Sequence, residues 1–391
     1  MRSSQCQLYK GKRGTIKPGA DTKTAPYVTY AWPITMSTVI VLGAGVVGLS
    51  TAIKIQESGH SVTIVAETFP DEPKNIRYTS WWSGAHHVSL SGDDTRQQAF
   101  DRETFKIMWE MSEPGKDSEE CFLRIPQTEY YAEKRYGANC LEVMPEYRVL
   151  AQDELITGAV SGVSFNTLTI DMPVYLLYLL RKFQEGGGKI VRAAIHHIAQ
   201  LAEGTYSEGV VPKAIVICAG LGARLLGGVE DKDVYPVRGQ TVILRAPWVR
   251  RGLTISNLET GLWTYIIPRR SGGVIVGGTK AENDWEPKPR PETTIDILTR
   301  GLALCPQLSP SYKEGQSELP TVEDVKSLII EEGCGLRPAR KGGIRLETAS
   351  LETVTGQKIP LVYNYGHGSY GVQSSWGSSI AALKLLKEVI V

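Results

Sequence analysis

The stretch Val41-Leu42-Gly43-Ala44-Gly45-Val46-Val47-Gly48-Leu49-Ser50 is where the fold is decided. It closes a short apolar, β-branched run, Thr38–Leu42, which reads as a buried strand. It then opens Val46–Glu57, whose Leu49, Ile53 and Val46 share one helical face. A second buried strand, Ser61–Ala66, follows, so the chain begins its folded part with a βαβ unit. In that setting Gly-x-Gly-x-x-Gly has a physical meaning. Gly43 permits the tight turn, Gly45 lets a pyrophosphate approach the backbone, and Gly48 lets helix pack on strand. Ala44, Val46 and Val47 complete the loop that lies against the phosphates. The free N–H groups and dipole of the helix start then stabilise the phosphates. Glu67, at the end of the second strand, is placed to bind ribose hydroxyls and to repel a 2′-phosphate, which argues against NADP. The pattern alone leaves FAD and NAD both open.

Working outward, Lys213–Ile217 is another strand, ending on Cys218-Ala219-Gly220. Arg238–Arg245, Trp263–Pro268 and Gly273–Thr279 alternate with turn residues and read as antiparallel strands. Ser378–Val391 places Ile380, Leu383, Leu386 and Ile390 on one helical face. The expected architecture is α/β: a Rossmann-like dinucleotide domain assembled from 36–90, 190–236 and 330–391. A mainly antiparallel substrate domain from 91–189 and 237–329 interrupts it. Residues 1–35 carry six Lys/Arg and one acid and form a loosely ordered extension without an apolar signal core.

The composition is that of an ordinary globular chain: 391 residues, 42% hydrophobic and 22% charged. Lys and Arg number 43 against 42 acids, a net charge of +1, which gives neither nucleic acid nor an anionic membrane a reason to bind. No apolar run is long enough to span a bilayer. The 40 glycines exceed the usual share and suit close backbone approach to a ligand. The six cysteines have no CxxC spacing and read as free thiols. Neither His86-His87 nor His196-His197 is completed by a third residue at metal-ligand spacing, so no metal is expected.

Further stretches carry a resemblance. They are Arg238-Gly239-Gln240, Thr264-Tyr265-Ile266-Ile267-Pro268, Gly277-Gly278-Thr279 with Asp284-Trp285, and Gly335-Leu336-Arg337-Pro338-Ala339-Arg340. Asn364-Tyr365-Gly366-His367-Gly368-Ser369-Tyr370-Gly371 and Trp376-Gly377 complete the series. From Val39 onward the chain resembles the D-amino-acid oxidase and D-aspartate oxidase family. The resemblance implies a glutathione-reductase-type FAD domain, with FAD as cofactor and a D-amino acid and dioxygen as partners. Gly43, Gly45, Gly48 and Glu67 would hold adenosine and pyrophosphate. Ser80, Gly84 and Ala85 would lie along phosphates and flavin, with Ile195, Ala219 and Gly220 on the adenosine side. Gly368, Tyr370, Gly371 and Gln373 would surround the isoalloxazine.

A guanidinium is the group that fits a carboxylate bidentately, and Arg337 matches the family arginine with that role. Tyr265 matches a tyrosine that adds a hydrogen bond to the same carboxylate, and the Ser369 carbonyl matches the acceptor of the substrate amine. Taken without the resemblance, Tyr265 reads equally as a core aromatic. Two departures point to acidic substrates: Lys280 directly after Gly-Gly-Thr, expected to pair with a distal carboxylate in a desolvated pocket, and His86 after Ala85. A solvated strand-end lysine is the competing reading of Lys280. Trp248–Gly261 is expected to be a lid, with Arg250 and Arg251 as further cations. Oxidation of neutral D-amino acids, an NAD-linked dehydrogenase and a non-catalytic flavoprotein are the alternatives. The family implies a peroxisomal location through a Ser-Lys-Leu-like end. This sequence ends Val389-Ile390-Val391, which keeps a cytoplasmic location as the alternative. Oligomeric state has no sequence signal.

Overall fold

The opening periodicity is realised as three elements, β1 (Thr38–Leu42), α1 (Val46–Glu57) and β2 (Ser61–Ala66). The computed structural model describes residues 38–89, 94–135, 139–257 and 259–390; the 1–35 extension lies outside them. One sheet adds β6 (Lys189–Arg192), β7 (Ala214–Ile217), β14 (Arg345–Glu352) and β15 (Lys358–Tyr365) to β1 and β2. Its order is β14-β15-β7-β1-β2-β6. All pairings are parallel except that of the edge strand β14. Both faces are covered, as a parallel sheet requires. Val39 and Val41 join the core under α1, whereas Ile40 and Leu42 join the core of the opposite face.

The second sheet holds β3 (Phe122–Tyr131), β4 (Arg148–Val149), β5 (Ser161–Ile170), β8 (Val234–Arg245), β9 (Gly252–Asn257), β10 (Leu262–Pro268), β11 (Gly273–Gly277), β12 (Ala281–Glu282) and β13 (Ile329–Arg340). Its order is β12-β8-β11-β10-β9-β3-β5-β4, with β13 also paired to β8. Only the β3–β9 contact is parallel. The helices are α2 (Thr95–Met111), α3 (Met172–Glu185), α4 (Pro291–Leu304), α5 (Val322–Val325) and α6 (Ser375–Val389). Leu298 and Leu302 of α4 pack on Val242 and Val276 of this sheet, while Leu176 and Leu179 of α3 share the α1 core.

Two expectations change. Trp248–Gly261 is not a lid: Gly252–Asn257 is β9, hydrogen-bonded between β3 and β10 inside the sheet. The last helix begins at Ser375, and Ile380 is on its exposed side. Its buried stripe is Ser375, Ser379, Ala382 and Leu386, because small residues let it approach α1 closely; Ser50 Oγ and Thr51 Oγ1 each lie 2.9 Å from Ser379 Oγ. Among the described residues Cys121, Cys218, Cys305 and Cys334 are free thiols. No helix there is long and apolar enough to cross a membrane.

Candidate active site

Five parallel strands deliver their carboxyl ends to one edge: Gly43 after β1, Glu67 after β2, Ile195 beyond β6, Ala219 and Gly220 beyond β7, and Gly366–Gly371 after β15. Strand order reverses between β1 and β7, which is where an open α/β sheet leaves its ligand crevice. Gly43 sits at φ +110°, and a Cβ there would lie 2.5 Å from the Cys218 carbonyl oxygen. A Cβ on Gly48 would collide with the Gly43 carbonyl. Over Gly45 the space is open except for Ser80 Oγ, 3.1 Å from a built Cβ. Ser80 Oγ accepts from the Val46 N–H at 3.0 Å, and the Tyr78 hydroxyl donates to the Ala44 carbonyl at 2.5 Å, pinning the loop. The rest of the first turn keeps its N–H groups for a ligand. This cradle fits a dinucleotide pyrophosphate. Glu67 stands at the expected place, ion-paired with exposed Arg77 at 2.6 Å.

From Ser80 the chain runs to Gly84, where a Cβ would press on Ile267 at 3.1 Å, and to Ala85 at φ 52°. The Ala85 carbonyl accepts from the Ile170 N–H at 2.8 Å, and the Ser83 carbonyl from buried Arg269 at 3.1 Å. This segment is thus a fixed wall facing β10.

Arg337 and Tyr265 meet above that wall. Arg337, on β13, donates from Nη1 to the Thr279 carbonyl at 3.0 Å, and its charge favours the ionised form of the neighbouring Tyr265 phenol. Its guanidinium crosses over Gly239, where a Cβ would overlap it. The Tyr265 ring lies over Gly277 and Gly278 in the same manner. Burial pushes the Tyr265 phenol upward, against the pull of Arg337, so it stays a neutral donor. The His86 ring centroid is 6.2 Å from that of Tyr265. Burial lowers His86 to about 4, so it works as a neutral imidazole near pH 7. His87 points elsewhere, buried 5.0 Å from the Phe105 ring. The loop bearing Ser369 docks on β13 through an Ala339–His367 bridge, and Gly368 abuts Ala339. That brings Ser369 to the Arg337 end of β13.

Four expected residues stand apart. Lys280 is 62% exposed, its ammonium 3.7 Å from Glu282, so the desolvated pairing foreseen for it is absent; its side chain leaves the turn towards water. Arg250 and Arg251 line a surface opening with Trp248 and Glu314, at the end of β8 remote from Val237, the register partner of Arg337. Gln373 turns its amide to buried Asp101 at 3.3 Å, spending the polar group expected near the flavin ring. Tyr370 is half-buried, its carbonyl accepting from the Ser374 N–H at 2.9 Å, and Gly371 begins the turn into α6.

Sequence reasoning missed a polar row beside Tyr265. Tyr265 pairs with Thr254, and Thr254 with Glu129, so the three side chains share one face of the sheet. Gln127, two residues earlier on that face, donates to Glu129 Oε1 at 2.7 Å and Thr254 Oγ1 at 3.1 Å. Burial raises Glu129 to about 7. The signal was available: polar Gln127 and Glu129 alternate with a strand period, which also describes a solvent face.

Comparison with known proteins agrees with this geometry. The profile described as FAD dependent oxidoreductase matches residues 38–383. A D-aspartate oxidase of Cryptococcus neoformans var. grubii is 37% identical over 89% of this chain and 96% of its own. A D-amino-acid oxidase of Schizosaccharomyces pombe is 32% identical over 89% and 95%. Among solved structures, glycine oxidase from Bacillus cereus superposes with a TM-score of 0.65 at 19% identity, over 90% and 95% of the two chains, a likeness of fold. With its glycine cradle at the strand-order reversal and its Arg337–Tyr265 pair above, this chain belongs to the FAD-dependent oxidoreductase family of the D-amino-acid oxidase type.

Proposed function

We propose that this protein oxidises D-amino acids to imino acids, acidic D-amino acids being the preferred class. The observation that carries the reading is Arg337, held on the Thr279 carbonyl beside Tyr265 so that the rest of its fork can meet an α-carboxylate. Tyr265 adds a hydroxyl to that carboxylate, and the Ser369 carbonyl accepts from the α-amine. Three points of attachment define a hand, so one enantiomer turns its Cα–H to the wall at Gly84. FAD, held by the Gly43–Gly48 loop, would supply the acceptor for the two electrons, with dioxygen as final oxidant and hydrogen peroxide as product. The residues contribute position rather than a base: His86 is neutral, and Ile267 and Tyr265 pack beside the wall at Gly84. The amine nitrogen's lone pair closes the C=N bond as the Cα–H departs with its electron pair, and the imino acid hydrolyses to a 2-oxo acid and ammonia.

The acidic preference has the support of the 37% relative named D-aspartate oxidase, and of neutral His86 as a hydrogen-bond donor. The test is peroxide release from D-Asp, D-Glu, D-Ala, D-Met, glycine and the L-enantiomers. Peroxide from D- but not L-amino acids, with D-Asp ahead of D-Met, is the expected result. Turnover of L-amino acids sinks the reading.

A further inference from the structure

If Lys280 is solvated and Arg250 and Arg251 are remote, a second carboxylate needs another cation on the face of the sheet that carries Tyr265. Trp263 pairs with Ser256, and Ser256 with Tyr131, which sets these residues one step along the sheet from the Tyr265–Thr254–Glu129 row and on its face. On them lies Arg135. Its guanidinium stacks 3.8 Å from the Tyr131 ring centroid and donates from Nη2 to Ser256 Oγ at 2.9 Å. The Arg135 side chain is 29% exposed, so one edge is seated and another is open. Its charge also reaches Glu129, whose carboxyl it favours in the ionised form.

We infer that Arg135 is a specificity-determining residue that receives the distal carboxylate of an acidic D-amino acid while Arg337 holds the α-carboxylate. The inference rests on the D-amino-acid reading above. Tyr265 and Ser256 are diagonal neighbours across one strand boundary, roughly 7–8 Å apart at the backbone, near enough for side chains on the two positions to reach one small ligand. A planar fork, rather than an ammonium, is the cation that keeps its seat on an aromatic ring and a serine while offering further N–H groups. Glu133 is the competitor: it lies 3.6 Å from Arg135 Nε, and both of its buried oxygens lack a hydrogen bond. A substrate carboxylate can therefore take up donors that Glu133 does not hold. Charged and titratable groups around the seat are Glu129, Glu133, Tyr131 and neutral His86.

The experiment compares kcat/KM for D-Asp and D-Met in the flavin-loaded wild type, Arg135→Gln and Glu133→Gln. Arg135→Gln should lower the D-Asp/D-Met ratio by about thirtyfold or more, as expected when a partly buried charge loses its partner. Glu133→Gln should raise the ratio, because it removes the competing carboxylate. Ratios unchanged in both variants, with D-amino acids still oxidised, overturn the role of Arg135 and leave the reaction standing. A wild type that oxidises D-Met but not D-Asp overturns it too. Absence of peroxide from every D-amino acid instead removes the reaction itself, and the inference with it. Should Arg135→Gln fail to hold flavin, the Glu133→Gln ratio decides alone.

Discussion

At the scale of single residues, the seat of the Arg337 guanidinium depends on an atom that is missing. The Arg337 guanidinium occupies the space a Cβ of Gly239 would need. Gly239→Ala should displace the fork from Thr279 and lower kcat/KM at least tenfold, about 1.4 kcal/mol of transition-state binding. Flavin should remain bound, as read from absorbance after gel filtration. Unchanged kcat/KM would mean that the fork has no fixed seat. Arg337 and Tyr265 were legible because guanidinium and phenol suit a carboxylate wherever the resemblance puts them. Glu129 and Arg135 were not. A strand with polar residues at alternate positions looks the same whether that face meets water or a buried site. Lys280 was legible as a cation at the rim, but only the turn after Gly278 determines that it points to Glu282 and solvent.

At the scale of elements, α1 joins sequence to cofactor. Its first turn is open over Gly45 apart from Ser80, which already claims the Val46 N–H. Gly45→Leu should fill that opening and abolish FAD retention while the βαβ unit still folds, since the backbone there has ordinary dihedrals, φ −68° and ψ 175°. A yellow, fully loaded variant with native thermal stability would move the pyrophosphate elsewhere. β1, α1 and β2 were readable to the residue because apolar period, glycine pattern and β-branching agreed. β9 was hidden by its neighbours. Arg250, Arg251 and the polar run after Asn257 gave Trp248–Gly261 the composition of a loop, although Gly252–Asn257 is a central strand. In α6 the expected face holds for Leu386, with Leu383 and Ile390 packed at the margin of the core, but Ile380 lies outside and Ser375, Ser379 and Ala382 fill the rest of the buried stripe.

At the scale of the molecule, buried titratable groups set the response to acid. Burial lowers His86 and His87 to about 4 and His367 to about 3, from an ordinary 6.5. As pH falls below 6.5 these three take protons in the unfolded chain before the native one, so their contribution to stability is lost. Burial raises Asp101 to about 6 and Glu129 to about 7; these bind protons first in the native state and oppose the loss. Between about pH 6 and 4.5 the unfolded state is therefore ahead by about one proton, roughly 1.4 kcal/mol per pH unit. Asp101→Asn removes one of the two opposing groups. Its thermal midpoint should fall more steeply from pH 6 to 4.5 than that of the wild type, whatever its value at pH 7. Parallel slopes would show that Asp101 does not titrate in this range.

One strand touches nearly everything that matters. β13 pairs along its length with β8, carries Arg337, takes the Thr79 hydroxyl on its Leu336 carbonyl at 2.9 Å, and bridges His367 from Ala339. Thr79 adjoins the serine at the head of α1, and His367 adjoins the loop of Gly368 and Ser369. The glycine loop proposed to cradle FAD and the arginine proposed to hold a carboxylate are thus two loads on a single beam. Thermodynamic reciprocity then applies: by whatever factor bound FAD would raise the affinity of Arg337 for a carboxylate, a carboxylate seated on Arg337 would raise the affinity for FAD. An enzyme built this way holds its flavin most firmly while it is at work.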